Sequence, residues 1–135
     1  MIRKSFRLPL TILGATALLA LGSSAYAAGD SMKEAMTAAT HAGFAAKSAN
    51  IKQVHMHLHH AINCLEGPNG EDFDKTNANP CAAIGNGAIA DSSDSAMKEK
   101  WMKAVSTAKM GLATDDLAKA QKDATDVEMA LKPAE

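Results

Sequence analysis

The chain is poor in arginine, in aromatic residues and in cysteine. Arginine occurs only as Arg3 and Arg7. The planar forked donors that read phosphates and base edges are therefore missing from everything after residue 7, which argues against nucleic acid as a partner. Aromatic residues make up 4% of the sequence, too few to line a porphyrin slot generously, and with few β-branched runs they leave little material for strands. Cysteine occurs twice, as Cys64 and Cys81, and Cys64-Leu-Glu-Gly lacks the following Cys and His of a c-type haem attachment site. Nor does the chain contain HExxH, a Glu-x-x-His pair, a nucleophile elbow or a phosphate loop, so the sequence predicts no enzyme.

The N-terminus has the pattern of an export signal. Arg3, Lys4 and Arg7 precede the apolar run "LPLTILGATALLALG", and Ala25-x-Ala27 supplies small residues at a cleavage site. The apolar run is short for a membrane anchor, and no cysteine follows that would take a lipid. The expectation is a signal peptide over residues 1–27, a periplasmic or secreted destination, a single domain over 28–135, and no membrane association after cleavage. The segment 28–135 carries 11 lysines against 15 acids, a net charge of −4 with neutral histidines. In an oxidising compartment Cys64 and Cys81 are expected to pair, and closing a loop of this length stabilises by about 3 kcal/mol. The rival reading is thiolate ligation of a metal.

What the sequence does have is alanine: 23 residues of it beyond Ala27, with lysine, methionine and leucine, a strongly helical composition. Punctuation marks four segments. The first runs over about 31–47, with Asp30 or Ser31 as N-cap. The second covers about 49–65, capped by Ser48 and stopped by "EGPNG". A third spans about 96–110 after Asp94 and Ser95, ending at Gly111. The fourth begins after Thr114, with Asp115 and Asp116 at its positive dipole end, and finishes near Lys132-Pro133. Leu117, Ala120, Ala124, Val127 and Leu131 form one apolar stripe, and Ile51, Val54, Leu58, Ile62 and Leu65 another. The first segment offers Met32, Ala35, Met36, Ala39 and Gly43. The predicted fold is all-α, an up-down-up-down four-helix bundle with a long disulfide-clipped loop over residues 66–95 between helices 2 and 3. Phe73, Ile84 and Ile89 are candidates to cap the bundle from that loop. "EDFDKTN" alternates oxygen ligands but lacks the central Gly and terminal Glu of an EF-hand.

The chemistry concentrates in "QVHMHLHHAINCLEG" over residues 53–67, which holds His55, His57, His59 and His60; the fifth histidine is His41. At 100° per residue the run splits into two pairs. His55 and His59, one turn apart beside the core stripe, can grip one ion from one helix. His57 and His60 face another flank. If the first two segments form a hairpin turning near residue 48 or 49, His41 comes level with residues 56 and 57 and can join either pair. The favoured set is His41, His55 and His59, with His57 and His60 as a second, more exposed site. Imidazole binds metal only when neutral, so affinity should fall below about pH 6.5.

Seven methionines follow the signal, and Met56 alone lies inside the histidine run, off the core stripe. Thioethers favour Cu(I) and imidazoles accept Cu(II), which puts copper first, with zinc and nickel next. His41-Ala42, seventeen residues, then His60-Ala61 resembles the histidine-bearing hairpins of small periplasmic histidine-rich metal-binding proteins, over residues 35–65. That resemblance implies a four-helix bundle that takes up copper and other divalent ions. The third and fourth segments have no histidine, so one or two sites are expected. The function expected is metal buffering, delivery or resistance. The alternatives are a small b-type haem electron carrier, or a non-enzymatic interaction protein that uses the Asn/Gly/Asp-rich loop; the sequence does not identify a protein partner.

Overall fold

A computed structural model describes residues 29–133; the expected signal peptide lies outside the described residues. The described chain forms five helices and, within those residues, no strand: α1 (Ser31–Lys47), α2 (Ile51–Glu66), α3 (Ala88–Asp91), α4 (Ser95–Leu112) and α5 (Leu117–Leu131). The four long helices begin at side-chain caps. Asp30 accepts from the Lys33 N–H, Asn50 from Gln53, Asp94 from Ala96 and Met97, and Asp116 from Lys119, each satisfying amide donors that the first turn leaves unpaired.

The start of α2 and the end of α4 are set by other residues than the sequence suggests. Ser48 does not cap α2. Its backbone N–H donates to Ala45 and its hydroxyl to Phe44, so it closes α1, and the extended chain at Asn50 opens α2 instead. Gly111 does not end α4, which continues to Leu112. Gly111 is buried, and a Cβ there would meet Leu58 Cδ1 at 2.8 Å, so glycine serves close packing rather than termination.

α1 packs on α2 and α5, and α4 on α5 and α2, so the four long helices close a ring around one core. Its α1 face is almost entirely alanine (Ala35, Ala38, Ala39, Ala42, Ala45), which lets α1 approach its neighbours closely. Volume comes from Val54, Leu58, Ile62 and Leu65 of α2, from Trp101 and Val105 of α4, and from Val127 and Leu131 of α5. Met32 and Met36, expected on the α1 stripe, are about two-fifths exposed at 42% and 40%. The alanines, with Gly43, fill that narrow seam.

The segment between α2 and α4 is shorter by a residue at each end than expected, and it contains α3. It is tied down by a disulfide between Cys64 and Cys81, whose Cα atoms are 5.1 Å apart. It is also tied by Asn63, fully buried at the end of α2. Asn63 donates to the carbonyls of Asp74, Asn77 and Ala78 and accepts from the Asp74 N–H. Ile84 and Ile89 pack against the core as expected, whereas Phe73 is not among the residues packed there. No helix of the described residues is long and apolar enough to cross a membrane.

Candidate metal centre

Because the α1 seam is built of alanine, α2 lies close enough for side chains on the facing flanks of the two helices to meet. His41 of α1 reaches His57 and His60 of α2, which stand three residues apart and hence on one flank. Each of the three offers a ring nitrogen within 4.8 Å of the others, and among the described residues this is the one set of three or more His, Cys, Asp or Glu ligands so placed. The ring centroids lie 5.1 Å apart for His41–His60 and 5.7 Å for both His41–His57 and His57–His60.

His41 Nδ1 and His57 Nδ1 are 3.5 Å apart. That is long for an N–H···N hydrogen bond. Two imidazoles on one ion, each with a metal–nitrogen bond of about 2.0–2.1 Å, place their nitrogens roughly 3.3–3.6 Å apart for tetrahedral to trigonal angles. His60 Nδ1 is buried with no hydrogen-bond partner among the described residues, and a buried acceptor or donor left alone calls for a ligand or a water. All three rings are partly buried. Burial pushes His41 down to about 4, with His60 and His57 also opposing a further positive charge. Burial likewise holds His57 and His60 below the usual histidine range, and for His60 the neighbouring His57 and His59 add to it. The cluster is therefore electrically neutral at pH 7, the state in which imidazole donates a lone pair to a metal.

Phe44, one turn after His41, meets His41 edge-on at 5.6 Å and His57 at 5.5 Å, and is half exposed at 50%. It shields the two rings from one side. The i, i+3 spacing in "HAGF" is the sequence signal that sets Phe44 beside His41.

The structure divides the histidines differently from the favoured expectation. His41 joins the His57/His60 flank, and His55 and His59 lie on the other side of α2, held by other partners. His55 Nε2 is 3.0 Å from the Thr114 carbonyl oxygen, and His59 Nδ1 is 3.2 Å from Asp74 Oδ2. Met56 is 39% exposed on the outer face of α2, four residues before His60. Cys64 and Cys81 are joined to each other, so neither offers a thiolate. No family model, curated protein or solved structure matches the chain.

Proposed function

We propose that this protein is a metal-binding protein of the periplasm or extracellular space, not an enzyme, whose ion is held by His41, His57 and His60. One observation carries this reading: three neutral, partly buried imidazoles from two helices place donor atoms within 4.8 Å of one another. The bundle's up-down-up-down path, supported by the short connections 48–50 and 113–116, makes the α1–α2 hairpin the element that grips the ion. Copper is the favoured ion, with zinc and nickel as competitors. Three imidazoles suit trigonal Cu(I) as well as Zn(II) with one open position, and a thioether such as that of Met56, a turn before His60, is a donor that favours copper over zinc. Buffering, delivery or resistance are the roles consistent with a small single site of this kind.

The test is to strip the purified protein of metal and titrate it with Cu(I), Cu(II) and Zn(II) under chelator competition. One tightly held equivalent is expected at the three-histidine site. His60→Ala should weaken it by at least the roughly 10–100-fold that even outer-shell changes cause. A Soret band in the protein as purified would replace this reading with the haem one, and unchanged affinity in His60→Ala would remove the site.

A further inference from the structure

We infer that the opposite flank of α2 carries a second metal site, a two-histidine site formed by His55 and His59. It is independent of the three-histidine site.

The inference starts from which nitrogen of each ring carries a proton. A carbonyl oxygen only accepts, so the 3.0 Å contact between His55 Nε2 and the Thr114 oxygen puts the proton on Nε2 and leaves the lone pair on Nδ1. Asp74 Oδ2 faces His59 Nδ1 at 3.2 Å. The Asp74 carboxyl oxygens already accept from the Thr76 N–H and hydroxyl and from the Asn77 amide, so the carboxyl faces His59 as an acceptor. The proton of a neutral His59 thus belongs on Nδ1, and the lone pair on Nε2. Both rings have one nitrogen turned to an oxygen acceptor and the other left to donate. Histidines that ligate metals are oriented in this way, the non-ligating N–H given to a carboxylate or a backbone carbonyl. Among the described residues, His41, His57 and His60 have no such anchor.

The two rings stand four residues apart on one helix, a separation that brings side chains together on the surface. His59 also lines a cleft of about 290 Å³ with Ile62, Asp72, Lys109, Leu112 and Ala113, the last adjacent to the Thr114 that holds His55. The cleft leaves room for an ion with water or a small anion in its remaining positions. Asp72 also lines the cleft, where its Oδ1 is paired with the cation of Lys109. Two nitrogens and water suit Cu(II), Zn(II) or Ni(II) rather than Cu(I), so the two flanks of α2 differ in ligand number, anchoring and expected ion.

The experiment uses Cu(II) as the probe on the full chain, read by chelator-competition titration and electron paramagnetic resonance. Wild type should bind two equivalents. The His41→Ala, His57→Ala, His60→Ala triple variant should retain one, with two nitrogens in its equatorial plane. Adding His59→Gln to the triple variant, which keeps a donor toward Asp74 but removes the Nε2 lone pair, should abolish that equivalent while the helical circular dichroism stays unchanged. Asp74→Asn in the triple variant should weaken it about 10–100-fold. A folded triple variant that binds no copper, or one that binds it equally well after His59→Gln, overturns the inference. Failure of the three-histidine site looks different: wild type would bind a single equivalent, kept in the triple variant and lost with His59→Gln.

Discussion

Two groups on the α1–α2 side of the molecule respond to acid in opposite directions. His41 is held down at about 4 by burial, so the folded state excludes a proton that the unfolded chain would take at about 6.5. Its contribution to stability is present above the unfolded value and is lost as pH falls from 6.5 through about 4. Glu34 is the reverse case. It is fully buried, its Oε1 accepts from the Gly87 N–H, and its Oε2 has no hydrogen-bond partner among the described residues. Burial, and then the nearby Asp91 and Asp30, raise it to about 6 despite the Gly87 bond. What it contributes is present below about 4.5 and is lost as pH rises through 6. Glu34→Gln should therefore raise the melting temperature at pH 7.5 and bring no gain at pH 4.5, measured by thermal circular dichroism at both. An equal effect at both pH values would mean that the buried carboxyl is not titrating. For the metal-free protein, His41→Gln should make the acid side of the stability profile shallower between pH 6.5 and 4. The low value of His41 also means that protons compete for its lone pair at lower pH than an ordinary histidine would suggest. That part of the chemistry was not legible in the sequence, because it arises from burial between two helices. The division of the α2 histidines into two flanks was legible, being fixed by helical spacing. Which flank His41 joins was not, because it depends on the rotation of α1 about its axis. The exposed Met32 and Met36 show that the alanines, not the methionines, set that rotation.

At the scale of elements, the helices themselves were readable from caps and stripes, and α1 runs over the segment expected. The errors came where one residue type serves two purposes. Serine is a good N-cap, but Ser48 finds a carbonyl behind it at Phe44; glycine ends helices, but Gly111 is needed where α4 touches Leu58 and α5. The end of α2 is less forgiving. Gly67 sits at φ +65, and a Cβ there would lie 1.6 Å from the Asn86 carbonyl oxygen, in the backbone of the crossing segment. Gly67→Ala should destabilise by roughly 2 kcal/mol or more, since a positive φ costs about 1 kcal/mol and the crossing segment must move as well. Asn63→Ala acts on the same junction from inside. It leaves the Asp74 amide and three carbonyls without their partner, and the expected loss is on the order of 2–4 kcal/mol in chemical denaturation. A loss under about 0.5 kcal/mol would mean that water replaces the amide fully. Because Asp74 faces His59, the same variant should also loosen the second flank of α2 while sparing His41, His57 and His60.

The whole molecule divides into a histidine-bearing α1–α2 hairpin, an α4–α5 hairpin without histidine, and the segment from Gly67 to Asp94 that crosses between them. The pairing of the two cysteines was legible from their number and the export pattern. The path of the segment was not, because it is set by single buried side chains, Asn63 and Glu34, that carry no periodic signal. The disulfide closes a loop across a sequence separation of 17 residues. Restricting such a loop in the unfolded chain stabilises by about 3 kcal/mol, which for a domain of this size corresponds to on the order of 10 °C in melting temperature. The ligand set His41, His57 and His60 depends on a different constraint, the turn over 48–50 and the alanine seam, which the disulfide does not hold together. A free ion at 100 times its Kd should stabilise the fold by about 2.7 kcal/mol through binding to the folded state alone. Cys64→Ala with Cys81→Ala should thus lower the melting temperature without lowering metal affinity below the transition. Added metal should then restore most of the lost stability, and a chelator should remove it again. The measurement is a pair of melts, with and without ion, on the wild type and the double variant. Parallel shifts in both would establish the disulfide and the ion as independent clips on one bundle. Loss of metal affinity in a folded double variant would mean that the crossing segment, and not the α1–α2 hairpin, positions the three rings.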